Sequence, residues 1–246
     1  QFEQLNLTGF NKVGLQIAGV RSPDKQPLAL AVTGTRFRSA HASANAIMIE
    51  AGMFPTANKN VVISNCLFEG PLATGVRANA QLLDVEVSRC RFFNCKTGIL
   101  FGDPFSESVS INNNTFFKGD LGLNWSQPPS IEKGTLFIQN NVFRDVKVEG
   151  RTTNRYDANK FKADYNQQIN NNVSTRSQKT DPSKGELPLV DDNHRGVAEL
   201  DKLPIDPTKD DFLQPGNVQR LRDLGKQVTV YPDEEVKFVG ALEPRG

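Results

Sequence analysis

Val109-Ser-Ile-Asn-Asn-Asn-Thr-Phe116 is a phrase that this chain writes repeatedly. Val61-Val-Ile-Ser-Asn-Cys-Leu-Phe68, Val85-Glu-Val-Ser-Arg-Cys-Arg-Phe92 and Leu136-Phe-Ile-Gln-Asn-Asn-Val-Phe143 share its shape, and Leu30-Ala-Val-Thr-Gly-Thr-Arg-Phe37 is an earlier copy. With Phe10 taken as a sixth member, the closing phenylalanines recur at gaps of 27, 31, 24, 24 and 27 residues. A period in this range marks stacked repeats, each a unit that cannot bury its apolar face alone.

Within each phrase the first and third positions are apolar (Leu30/Val32, Val61/Ile63, Val85/Val87, Val109/Ile111, Leu136/Ile138), an alternation of period two that reads as a half-buried strand. The sixth position is Thr35, Cys66, Cys90, Asn114 or Asn141, small polar or thiol side chains placed two residues before the Phe. A second strand follows at Gly14–Ile17, Ala46–Ile49, Gly75–Ala78, Gly98–Phe101 and Gly122–Trp125, across Gly/Asn corners that tolerate left-handed backbone. Stacking such turns about 4.8 Å apart pairs every strand in parallel with its equivalents above and below. Equivalent side chains then form ladders: one of phenylalanine, one aliphatic, and one running Thr–Cys–Cys–Asn–Asn whose amides hydrogen-bond along the axis. The expected fold is all-β, a right-handed parallel β-helix over residues 1–150 with an irregular C-terminal wrap over 151–246. The last segment holds half of the 14 prolines but only 3 of the 16 phenylalanines, with a short helix expected at Val218–Leu224.

The I-x-N-N-x-F phrase followed by G-[IV] resembles the repeat of the pectate-lyase-like superfamily of right-handed β-helix proteins. Phe161–Asn172 is similar to a segment these proteins carry after their regular turns. Asp211-Phe-Leu-Gln-Pro-Gly216, with Arg222–Gly225 and Phe238–Pro244, is similar to their usual ending, departing from it at Asn217-Val-Gln219 and at Phe238. The resemblance implies a secreted or surface-associated protein. It also implies the chemistry of the superfamily's enzymes, which act on acidic polysaccharides at the outer face of the strand stack. Lyases there use a Lys or Arg base with carboxylate-bound Ca²⁺, and hydrolases use grouped aspartates.

Composition narrows the partners. A net charge of +1 projects no field for nucleic acid or anionic lipid, and no apolar run approaches a membrane span. The chain opens in mid-phrase at Gln1-Phe-Glu-Gln-Leu, so residue 1 reads as a truncation point and the C-terminus as natural; the lack of a leader carries no information about export. Cys66 and Cys90, on one ladder, are expected as stacked reduced thiols, and Cys95, in a corner, as the more accessible one. No Cys/His cluster offers a zinc site. The four Asn-x-Ser/Thr sequons (Asn6, Asn113, Asn124, Asn172) read as chance in so Asn-rich a chain.

Outward strand positions are where chemistry would sit, since on a β-solenoid such positions line up at strand spacing. In the outward columns of the two strands, no two carboxylates stack on neighbouring turns. The best constellation is Glu86 with Arg91, flanked by Arg36 and Arg77. There the arginines would fork onto uronate or sulfate, and Glu86 would orient one of them or hold Ca²⁺; the competing reading is surface salt links. Trp125 is either a sugar-stacking platform or a core filler. His41 and His194 are each alone. Asp103, Glu107 and Asp120 are placed in loops, where Ca²⁺ ligands are conceivable but no spacing motif supports them; no cofactor is otherwise implied. Two functional readings follow: a non-catalytic β-helix that binds or presents to polysaccharide, and a lyase- or epimerase-like enzyme on acidic glycans.

Overall fold

The structure, a computed structural model, describes residues 1–18, 30–50, 61–79, 84–102, 108–126, 135–153, 168–206, 209, 213–214, 219–225, 228–230 and 234–242. The strands of its first half are β1 (Phe2–Glu3), β2 (Asn6–Thr8), β3 (Val13–Ala18), β4 (Leu30–Thr33), β5 (Arg36–Arg38), β6 (Asn45–Glu50), β7 (Val61–Ser64) and β8 (Leu67–Asn79). They continue as β9 (Asp84–Ser88), β10 (Arg91–Phe101), β11 (Ser108–Asn112), β12 (Thr115–Trp125), β13 (Thr135–Gln139), β14 (Val142–Thr152), β15 (Ile169–Asn170) and β16 (Val173–Ser174). One sheet runs β1-β4-β7-β9-β11-β13-β15, and the other carries β2, β5, β8, β10, β12, β14 and β16 with β3 and β6 joined alongside. All these pairings are parallel, so the described strands form a parallel β-solenoid.

Each phrase winds one turn. Its first half lies in the seven-stranded sheet, and the chain then bends at a residue in left-handed backbone, Asn65 (φ 55°), Arg89 (φ 52°), Asn113 (φ 55°), Asn140 (φ 57°) or Asn171 (φ 56°). Asn dominates this column because its short amide tolerates that region better than other non-glycine side chains. From β8 onward, the Phe-bearing segment and the second strand are one long, bent strand.

The ladders form as the phrases imply. Phe37, Phe68, Phe92, Phe116 and Phe143 stack ring on ring with centroids 4.6–5.2 Å apart. Phe10 does not join them: β2 pairs with β5 so that Leu7 stands opposite Phe37, and Phe10 packs beside the core instead. The even spacing of Phe10 was a coincidence of gap length, since strand register decides ladder membership. A Cβ at Gly98 or Gly122 would come within 2.5 Å of the Phe116 or Phe143 ring of the next turn, which explains the glycine at these two positions.

Thr35, Cys66, Cys90, Asn114 and Asn141 are all buried in line, and Asn172 extends the row. The amides of Asn114, Asn141 and Asn172 donate to the carbonyls of Val87, Ile111 and Ile138 on preceding turns at 2.8, 2.7 and 2.8 Å. Each buried amide is thereby satisfied while it ties turn to turn. Cys95 is also buried, at a register shift in β10, which corrects the expectation that it is the accessible thiol. Burial pushes the Cys90 and Cys95 thiols well up from their ordinary range.

The tail runs back over the stack. It holds a short helix α1 (Gln219–Asp223) and an antiparallel hairpin of β17 (Val228–Val230) and β18 (Glu234–Val236). Val197, Leu200, Leu203, Leu213, Leu221 and Val239 cover Leu67, Phe117, Val142 and Val173 on the outside of the second sheet. Arg144 pins this layer by donating to the carbonyls of Leu203 and Asp201 at 2.9 and 3.0 Å while lying over the Phe117 ring. A second fastening is ionic. Glu149, 1% exposed, accepts from Ser174, Arg195 and Arg176 at 2.8, 2.8 and 3.2 Å, and Arg176 also grips Glu186 at 2.9 Å. Among the described residues, no helix is long and apolar enough to cross a membrane.

Candidate functional site: a charged groove at the strand bend

β10, β12 and β14 each bend a second time at a left-handed residue, Asn94 (φ 54°), Lys118 (φ 56°) and Asp145 (φ 51°). Register places these three in one column, since Phe93 pairs with Phe117 and Phe117 with Arg144. Two residues further on, Lys96, Asp120 and Lys147 form a second column, just before the pairs Thr97–Leu121 and Leu121–Val148. The two columns line an open groove of about 430 Å³ whose lining also includes Pro71, Leu72, Gly119 and Ala42.

The charges alternate along the axis. Lys96, Asp120 and Lys147 read plus, minus, plus on three successive turns, and the Lys147 ammonium meets the Asp120 carboxylate at 2.7 Å. In the other column Lys118 lies beside the Phe117 ring, its ammonium 5.1 Å from the centroid, and Asp145 approaches the Arg144 guanidinium at 3.8 Å. The Lys147 and Asp120 side chains remain 77% and 43% exposed, so water and ligand reach both. Outward side chains on neighbouring turns stand about 4.8 Å apart, so the groove offers a charge pattern in register with its backbone.

The residues singled out from the sequence do not converge on one site. Glu86 is in the seven-stranded sheet, where its carboxylate accepts from Ser88 at 2.6 Å. Arg91 is in the other sheet, beyond the corner at Arg89. Arg36 and Arg91 do share a column, two turns apart with Leu67 between them. The tail crosses that column: Ala241 N–H donates to the Thr115 hydroxyl at 2.9 Å, and Asn113 donates to the Phe238 carbonyl. Arg36 is committed to Glu69, 4% exposed, at 2.6 Å, and Arg38 flanks the same carboxylate at 3.3 Å. Arg77 donates to Asn79 at 3.3 Å in the far arm of β8. Trp125 is fully buried and stacks on Phe101 at 5.8 Å, so its ring offers no face to a sugar and serves the core.

Asp120 lies within β12 rather than in a loop, and Asp103 and Glu107 fall outside the described residues, as do Phe161–Gln167, Asp211–Phe212 and Pro215–Gly216 of the family-like segments. His41 is exposed in a turn, and His194 closes a short 3-10 turn at Asp192–His194. The sequon residues Asn113 and Asn172 are buried, which excludes them as glycan acceptors in the folded chain. Among the described residues, no group of three or more His, Cys, Asp and Glu gathers as metal ligands would.

The groove's lysines sit at the bend between the two strands of a turn, outside the outward positions that strand alternation marks. A signal was present: Lys96-Thr-Gly98, Asp120-Leu-Gly122 and Lys147-Val-Glu-Gly150 each place a charge shortly before the glycine. Compared with protein-family models, with curated proteins and with solved structures, the chain matches none. The β-solenoid fold stands on the strand register itself.

Proposed function

We propose that this chain is a polysaccharide-binding β-solenoid whose ligand lies along the axis in the groove at the strand bend. The observation that carries the reading is the placement of Lys96, Lys118 and Lys147 on three consecutive turns around one open groove of about 430 Å³. Ammonium groups on flexible stems meet carboxylate or sulfate as point charges, and the exposed Pro71 adds an apolar contact on the adjoining turn. A secreted or surface setting belongs to the same proposal. Affinity electrophoresis through gels loaded with acidic or neutral polysaccharide tests it. Retardation by acidic glycans, weakened by salt and lost in Lys96→Ala/Lys147→Ala, is the expected result. Equal mobility of wild type and variant in every acidic gel would overturn the reading.

The catalytic alternative, a lyase-like enzyme on acidic glycans, draws on one observation: Lys118 and Asp145 occupy one column on adjacent turns. The Asp145 carboxylate would take the proton next to a uronate, while the Lys118 ammonium offsets the developing charge and protonates the glycosidic oxygen that departs as the double bond forms. Release of an ultraviolet-absorbing unsaturated product from an acidic polysaccharide, abolished in Lys118→Ala, would establish it; its absence leaves the binding reading.

A further inference from the structure

Resting on the binding reading, we infer that Asp120 is a specificity-determining residue that tunes the groove to acidic glycans in which a charged sugar alternates with a neutral one. The register supplies the argument. Lys96, Asp120 and Lys147 stand at one ladder position on three successive turns, so cation, anion and cation follow at strand spacing. The two lysines are then about 9.6 Å apart along the axis, twice the strand separation. One pyranose ring with its glycosidic bond advances an extended sugar chain by a length comparable with one such separation. Anionic groups on every second sugar therefore meet Lys96 and Lys147, while the sugar between them lies over Asp120. A carboxylate only accepts hydrogen bonds, so Asp120 favours the hydroxyl and amide donors of a neutral sugar and repels a second acid.

The ion pair in the free groove supports this assignment. Asp120 holds Lys147 at 2.7 Å, so a uronate that engages Lys147 displaces Asp120, and the freed carboxylate is then best met by the hydrogen-bond donors of a neutral neighbouring sugar. In the neighbouring column Lys118 and Asp145 repeat the opposition of signs one turn apart. The groove as a whole carries three lysines against two aspartates, nearly balanced, which disfavours nucleic acid or polyphosphate and admits a sparsely charged polymer.

The test compares hyaluronan, where a uronate alternates with a neutral amino sugar, with polygalacturonate, where every sugar is charged, and with neutral dextran. Binding by calorimetry at fixed ionic strength should be several-fold tighter for hyaluronan than for polygalacturonate, and absent for dextran. Asp120→Asn should raise polygalacturonate affinity and reverse or erase the preference, with an unchanged unfolding temperature as the control for folding. Glu3→Gln, at an exposed carboxylate that does not line the groove, should keep the preference. A wild type that binds polygalacturonate as tightly as hyaluronan overturns the inference while leaving the binding reading intact, and so does an Asp120→Asn protein with an unaltered ratio. Failure to bind either acidic polymer overturns both.

Discussion

Phe92 and Phe116 lie ring over ring, centroids 4.7 Å apart and planes within 7° of each other, although 24 residues separate them in the chain. The stacking distance matches the spacing of neighbouring strands, so the rings are set by the ladder they hang from. Face-to-face rings are not the arrangement an isolated aromatic pair prefers. Here parallel register imposes it, with Gly75 beside the Phe92 ring and Gly98 beside the Phe116 ring making room.

Removing a ring from the middle of this column leaves a void that turns above and below cannot fill without losing register. Phe92→Ala is expected to destabilise the protein by about 3–5 kcal/mol, measured by denaturant unfolding. A cost below about 1 kcal/mol would mean that the column contributes little.

The three thiols should be silent in the native state. Cys66, Cys90 and Cys95 are buried, and for Cys90 and Cys95 burial disfavours the thiolate, the reactive species. Labelling by a thiol reagent should appear only as the protein unfolds. The sign of the linked pH effect follows from the raised values. Below the ordinary thiol value, about 8.5, both states hold their protons and stability is unaffected. Above it the unfolded chain releases protons that the folded chain keeps, so stability falls as pH rises. Cys90→Ala/Cys95→Ala should flatten that alkaline slope.

Lys118 occupies left-handed backbone at φ 56°, a region costly for a side chain. Lys118→Gly relieves roughly 1–2 kcal/mol of that strain and gives back about 0.4–1 kcal/mol through the freer unfolded chain. Unfolding should therefore shift little or upward, while acidic-glycan binding weakens. A parallel loss of both would show that Lys118 acts through the fold and not through the ligand.

Glu149 gathers Arg195, Arg176 and Ser174 in an almost dry setting. Glu149→Gln leaves two guanidinium groups short of their shared anion, and breaking such a buried set costs about 3–5 kcal/mol. The loss should show as faster protease cleavage within residues 176–206 before the stack itself opens. Cleavage and unfolding that remain at wild-type levels would mean the network is dispensable.

Much of the solenoid was legible from residues alone. Alternation at Val61/Ile63 and Val85/Val87, the Phe at each phrase end and the Cys-to-Asn row all report on a side chain's own turn, and stacking copies that report unchanged. Leu7 against Phe37 was not legible, because the pairing of β2 with β5 sets which residue joins the ladder and the spacing of Phe10 does not report it. The burial of Cys95 depends on a register shift in β10, which spacing does not reveal.

The candidate site divides along the same line. Local sequence determined that this chain winds into parallel turns, since period and polarity act through neighbouring residues and repeat identically at every level. Which outward charges stay open was decided only when the tail folded back: it crosses the column of Arg91 and Thr115, while Lys96, Asp120 and Lys147 remain open at the bend. Arg36 was likewise claimed by Glu69, a partner 33 residues away in sequence but one strand away in space. Cover and pairing of this kind arise from contacts between distant segments, and those exist only once the turns are stacked.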